Sequence, residues 1–89
     1  MSSRYRVLDA ARDAVRDREG QYGSPGANMT RAAALATVML AGKLKRELSA
    51  ADMINIHLSI KMARLCETPN SHDTQVDLAG YASLMSEVV

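Results

Sequence analysis

The sequence predicts an all-α protein, a compact four-helix arrangement completed by self-association. Three observations carry that expectation. Apolar residues recur at helical spacing in four segments, each bounded by Gly, Pro or a Ser/Asp start signal. The chain has three aromatics (Tyr5, Tyr22 and Tyr81) and no Trp or Phe, so its core draws on Leu, Ile, Val, Met and Ala, which suit closely packed helices. At 89 residues it sits near the lower size limit for independent folding, which makes oligomerisation a natural supplement to a small core.

The first helix is expected from Ser3 to Glu19. Val7, Leu8, Ala11, Ala14 and Val15 fall on one side, with Arg and Asp on the others. Gly20 and Gly23 end it, and Ser24-Pro25 reads as an N-cap followed by proline at the first helical position. The second helix is expected to reach Arg46. Its small-residue face (Met29, Ala32, Ala33, Ala36, Met39 and Leu40) would admit a close neighbour, and Gly42 marks either a local end or a close crossing. Lys43, Lys45 and Arg46 then complement the negative end of that helix dipole.

Ser49-Ala50-Ala51-Asp52 has the spacing of a capping box, with Asp in place of the usual Glu or Gln. The third helix follows to about Cys66 and is apolar almost all round, the pattern of a helix that is central or covered by a partner. Thr68-Pro69-Asn70-Ser71 makes a short turn, and Asp73 or a near neighbour caps a fourth helix running to the C-terminus. The whole chain reads as one domain.

Composition narrows the function classes. A net charge of +1 with no basic stripe and few aromatics makes nucleic-acid binding unlikely. No run approaches the roughly 18 apolar residues of a membrane span, and the Arg- and Asp-rich start lacks a signal peptide's apolar core. The single Cys66 has no disulfide partner in the chain. It fits a cytoplasmic protein and, near the end of an apolar helix, is expected to be buried. His57, His72 and Cys66 have no recognised zinc spacing. The methionines are expected to be adaptable core filler.

The distinctive chemistry lies in the third and fourth helices. His57, Lys61 and Arg64, at i, i+4 and i+7, share a narrow sector of the third helix, with Asp52 nearly opposite. Asp73, Asp77, Tyr81 and Leu84 share one face of the fourth, with Gly80 beside them. A short connection favours an antiparallel hairpin, which would gather Lys61, Arg64, Asp73 and Asp77 near the turn. Two readings follow. The four charges neutralise one another and fix the hairpin's register. Alternatively they bind, with Tyr81, a phosphorylated small molecule: Lys61 and Arg64 on phosphate oxygens, Asp73 and Asp77 on Mg²⁺. A protein-binding surface is a third use. In the first loop Tyr22 either packs over a helix end or joins Arg18 and Asn28 in completing the ligand site, stacking on a base.

The ordered pattern Arg18-Glu19-Gly20-Gln21-Tyr22-Gly23-Ser24-Pro25, Asn28, Ala51-Asp52, Lys61-Met62-Ala63-Arg64-Leu65, His72-Asp73 and Asp77-Leu78-Ala79-Gly80-Tyr81-Ala82 resembles a small phage- and prophage-encoded helical family without an established function. The resemblance spans nearly the whole chain and implies a viral or prophage origin, hence the host cytoplasm. The sequence departs from that pattern in the second helix, which lacks aromatics near Met29 and Ala36.

More distantly, the layout is similar to the MazG-type all-α nucleotide pyrophosphohydrolases. These bind Mg²⁺ around a nucleoside triphosphate with acidic pairs on two neighbouring helices. In that resemblance Asp73 and Asp77 stand for the second acidic pair. Where those enzymes carry Glu-x-x-Glu on the first acidic helix, this chain has Asp52 followed by Asn55. What it implies is a nucleotide-binding protein, a minimal or degenerate pyrophosphohydrolase, with Mg²⁺ as the cofactor and Asp52 contributing only across a subunit interface. The rival expectations are a non-enzymatic protein that binds a host factor and a nucleotide-sequestering sponge.

Overall fold

A computed structural model describes residues 3–18 and 25–88. Charge placement shapes α1, Ser3–Arg18: Arg16 and Arg18 occupy its last turn, where they complement the dipole. An exposed Arg12–Asp9 pair at 3.4 Å adds a few tenths of a kcal/mol at most. The expected end at Glu19, the Gly20–Ser24 punctuation and Tyr22 lie outside the described residues.

Helix α2, Pro25–Met39, opens at the expected proline but ends well before Arg46. A 3-10 turn over Ala41–Lys43 follows, and Leu44 is extended. Two causes are visible. Gly42 is a weak place to propagate a helix, and a Cβ there would meet nothing within 4 Å, so Gly42 serves the break and not a close crossing. Thr37 supplies the second: its hydroxyl donates to the Ala33 carbonyl (2.7 Å) and accepts from the Leu48 N–H (2.8 Å). That bond holds the returning chain against the last turns of α2. Lys43, Lys45 and Arg46 therefore lie beyond the helix, exposed in the connection.

Helix α3, Ala50–Glu67, begins with the expected capping box in full. The Ser49 hydroxyl accepts from the Asp52 N–H (3.1 Å), and the Asp52 carboxylate accepts from the Ser49 N–H (2.9 Å). The helix stops at Thr68, whose N–H donates to the Arg64 carbonyl, immediately before Pro69. Helix α4, His72–Leu84, is capped by Ser71, a near neighbour of Asp73: the Ser71 hydroxyl accepts from the Thr74 N–H and bonds the Thr74 hydroxyl. These contacts satisfy Thr74, the one buried polar residue among the described ones. A final 3-10 turn covers Met85–Glu87.

The helices meet in the spatial order α1, α4, α3, α2, with α3 and α4 in the middle. Gly80 lies at the α4–α1 crossing, where an added Cβ would come within 4.0 Å of Val15. The result is spread out. The radius of gyration is 14.4 Å and the extents are 48 × 32 × 20 Å, whereas a compact domain of this length has a radius near about 12 Å. Among the described residues the buried apolar ones are Ala11, Met29, Ala33 and Ile54, and of their large side chains Ile54 is the one fully enclosed. The nearly all-apolar α3 is central in the helix order, yet Ile56, Ile60 and Met62 on it are exposed. Among the described residues no helix is long and apolar enough to cross a membrane.

Candidate functional site

The α3–α4 hairpin places its polar groups by simple register. The chain reverses at Thr68–Ser71, so four residues forward on α3 faces four residues back on α4. His57 thus meets Tyr81, and Lys61 meets Asp77. The two rings stack in parallel, with centroids 4.6 Å apart and planes 6° from coplanar. One turn along, the Lys61 ammonium donates to the Asp77 carboxylate at 3.0 Å.

Exposure decides what this pair is worth. The Lys61 side chain is 15% exposed and that of Asp77 37%. The lysine stem lies along the helix contact while its charge reaches the rim, and the carboxylate keeps access to water. Such a pair contributes at most about 1 kcal/mol to folding. The rings lie half-buried beneath it, and parallel stacking adds about 1 kcal/mol beyond area burial.

The expected four-charge cluster forms only in part. Arg64 and Asp73, which the register brings to the mouth of the hairpin, are both exposed and form no ion pair. Arg64 lies only about 20° round α3 from His57, but near the end of the helix its side chain is exposed. Asp73 sits in the first turn of α4, where its charge favours the positive end of the helix dipole. One closed pair is therefore flanked by one uncommitted cation and one uncommitted anion.

Asp52 lies elsewhere. It precedes Lys61 by about 14 Å along the α3 axis, and its carboxylate is engaged with Ser49. The bond from the Ser49 backbone N–H, then that from the Ser49 side chain, and last the more distant Arg46 charge outweigh a small opposing burial effect and hold its pKa below the ordinary value of 3.8. A carboxyl whose pKa is depressed on folding stabilises the protein above its unfolded pKa and loses that contribution as pH falls through the folded value. Asp52→Asn is thus expected to be less stable than wild type at neutral pH. The two unfolding midpoints should converge below the ordinary carboxylate range, as read by thermal unfolding across pH.

Arg18 is exposed at the end of α1 and Asn28 half-buried in α2. Neither bonds to Lys61, Asp77 or Tyr81. Among the described residues no group of three or more His, Cys, Asp or Glu is placed to hold a metal ion. Cys66, expected to be buried, is exposed because it falls on the outer side of α3, away from Ile54 and Lys61. His57 was visible in sequence as part of the polar stripe; its partnership with Tyr81 required the hairpin register.

A family match covers residues 6–89. The chain belongs to DUF6378, a domain of unknown function. Comparison of the DUF6378 chain with curated proteins and with solved structures gives no match. The matched span includes most of α1 and the whole of α2, α3 and α4.

Proposed function

We propose that this DUF6378 chain binds a nucleoside phosphate together with Mg²⁺ along the α3–α4 face. The observation that carries the reading is the ordered ladder of a stacked ring pair, a Lys–Asp pair and two uncommitted charges. His57 to Arg64 spans about 10 Å of helix axis, room for a base at the ring end and phosphates at the hairpin mouth. In this reading the base extends the His57–Tyr81 stack, and Lys61 and Arg64 donate to phosphate oxygens.

Asp73 and Asp77, one helical turn apart, fit the way Mg²⁺ is commonly held: by one or two carboxylates, with the remaining positions taken by water and substrate phosphates. The metal then arrives with the nucleotide. Resemblance of the Asp73–Tyr81 segment to the second acidic helix of MazG-type pyrophosphohydrolases supports the ligand class, and the motif order supports a phage or prophage setting. The reading is one of binding. Two-metal hydrolysis draws on several carboxylates, and Asp52, the acidic residue of α3's first turn, is engaged in a cap a long way from Asp77.

A thermal-shift panel of nucleoside mono-, di- and triphosphates, with and without Mg²⁺, tests this. At a hundredfold excess over Kd the stabilisation is about 2.7 kcal/mol, a rise of roughly 10 °C or more in a domain of this size. The rise should be larger with Mg²⁺ than without. No shift with any nucleotide would reduce the Lys61–Asp77 pair to a register lock for the hairpin.

A further inference from the structure

The accessible surface of the chain is 6551 Å², whereas a folded monomer of its 9.6 kDa exposes about 5,100 Å². The excess of about 1,450 Å² falls in the range that each protomer of an obligate homodimer buries. Among the described residues most of the exposed large apolar side chains lie on α2 and α3. Leu35, Val38 and Met39 on α2, and Ile56 and Ile60 on one side of α3, are all exposed, Val38 at 77% and Met39 at 81%. The two helices that carry them pack together. α2 holds a single charged residue, Arg31, and the outer side of α3 carries none from Asn55 to Ala63.

We propose that the exposed apolar face of α2 and α3 is the interface with a second copy of this chain. The excess area matches what a two-fold contact between copies buries, and such a contact supplies the core that four buried apolar residues, among those described, leave small. The face lacks the lysine- and arginine-rich rim with which amphipathic helices select a lipid surface. α1 does not compete for the role: Tyr5, Leu8 and Val15 are exposed there, but among many Arg and Asp side chains. Leu35, Val38 and Met39 belong to α2, a different helix from those that carry His57, Lys61, Arg64, Asp73 and Asp77, so the Val38 variants report on the dimer alone. The dimer and the nucleotide site can therefore fail separately.

Sedimentation equilibrium of the full chain from about 1 to 100 µM reads the mass directly, and the expected mass is twice 9.6 kDa. Val38→Asp and Ile60→Asp should each raise the dimer dissociation constant about a hundredfold or more, because each buries a charge in an apolar contact. Leu8→Asp on α1 should leave it unchanged. Val38 touches little within its own chain, so Val38→Lys carries the test should Ile60→Asp fail to fold. A monomer at 100 µM would overturn the proposal, whether or not the chain binds liposomes or another protein. So would a dimer that Leu8→Asp dissociates and the Val38 variants do not.

Discussion

Ile54→Ala is expected to destabilise the protein by about 3 kcal/mol, and by up to about 5 if the cavity does not collapse. Measured by urea unfolding at fixed protein concentration, this is the largest stability effect of any single truncation. Ile54 is 0% exposed and sits on the inner side of α3, between the neighbours that α3 shares. Stability for 89 residues is of order 4 to 13 kcal/mol, so the loss removes a large fraction and lowers the melting temperature by about 10 °C or more. Ile54→Val should cost only about 1 kcal/mol. Equal, small effects for both substitutions would show that the side chain is not enclosed. Truncating Met62 or Val38 in the monomer would cost far less, since both are already in water.

Lys61→Met is expected to weaken binding of the Mg²⁺–nucleotide complex by about 10- to 100-fold while changing stability by no more than about 1 kcal/mol. The first figure is the loss of one charge-assisted hydrogen bond to phosphate, about 1.5 to 3 kcal/mol. The second follows because Asp77, left without its partner, is more than one-third exposed and stays hydrated. Asp77→Asn separates the roles further. It should remove the Mg²⁺-dependent increment in affinity and leave the metal-independent part. Isothermal titration of the three proteins, with and without Mg²⁺, measures both. A large fall in stability for Lys61→Met with unchanged nucleotide affinity would instead assign the pair to holding the hairpin together.

Sequence and structure agree where the controlling interaction is local. The Ser49–Asp52 capping box spans three residues and can be read directly. Pro25 at the head of α2 and the short Thr68–Ser71 turn are also local signals, and that turn is enough to set an antiparallel hairpin. Disagreement begins where a distant group decides. The continuation of α2 to Arg46 fails because Thr37 bonds the Leu48 N–H, eleven positions along the chain, which periodicity cannot see. The fourth helix's cap is again local: Ser71, a near neighbour of Asp73, reaches the Thr74 N–H and hydroxyl three residues on.

In the site, helical spacing put His57, Lys61 and Arg64 in one sector and Asp73, Asp77 and Tyr81 in another, and the hairpin joined Lys61 to Asp77. Spacing alone could not show that Arg64 stays exposed and without an ion pair among the described residues. Nor could it show that His57 and Tyr81 lie ring on ring, because that depends on the register across two helices. Asp52 could be placed opposite the stripe but not committed to Ser49, and Cys66 was misplaced because α3 is covered on one side only.

The most direct test of the nucleotide site is an amide ¹H–¹⁵N correlation titration of the full chain with a Mg²⁺–nucleotide complex from the thermal-shift panel. The account predicts that the largest shifts fall on the amides of His57, Lys61 and Arg64 on α3 and of Asp73, Asp77 and Tyr81 on α4, and that Lys61→Met moves their midpoint to higher ligand concentration. Shifts confined to α1 and α2, or a spectrum unchanged at millimolar nucleotide, would contradict it.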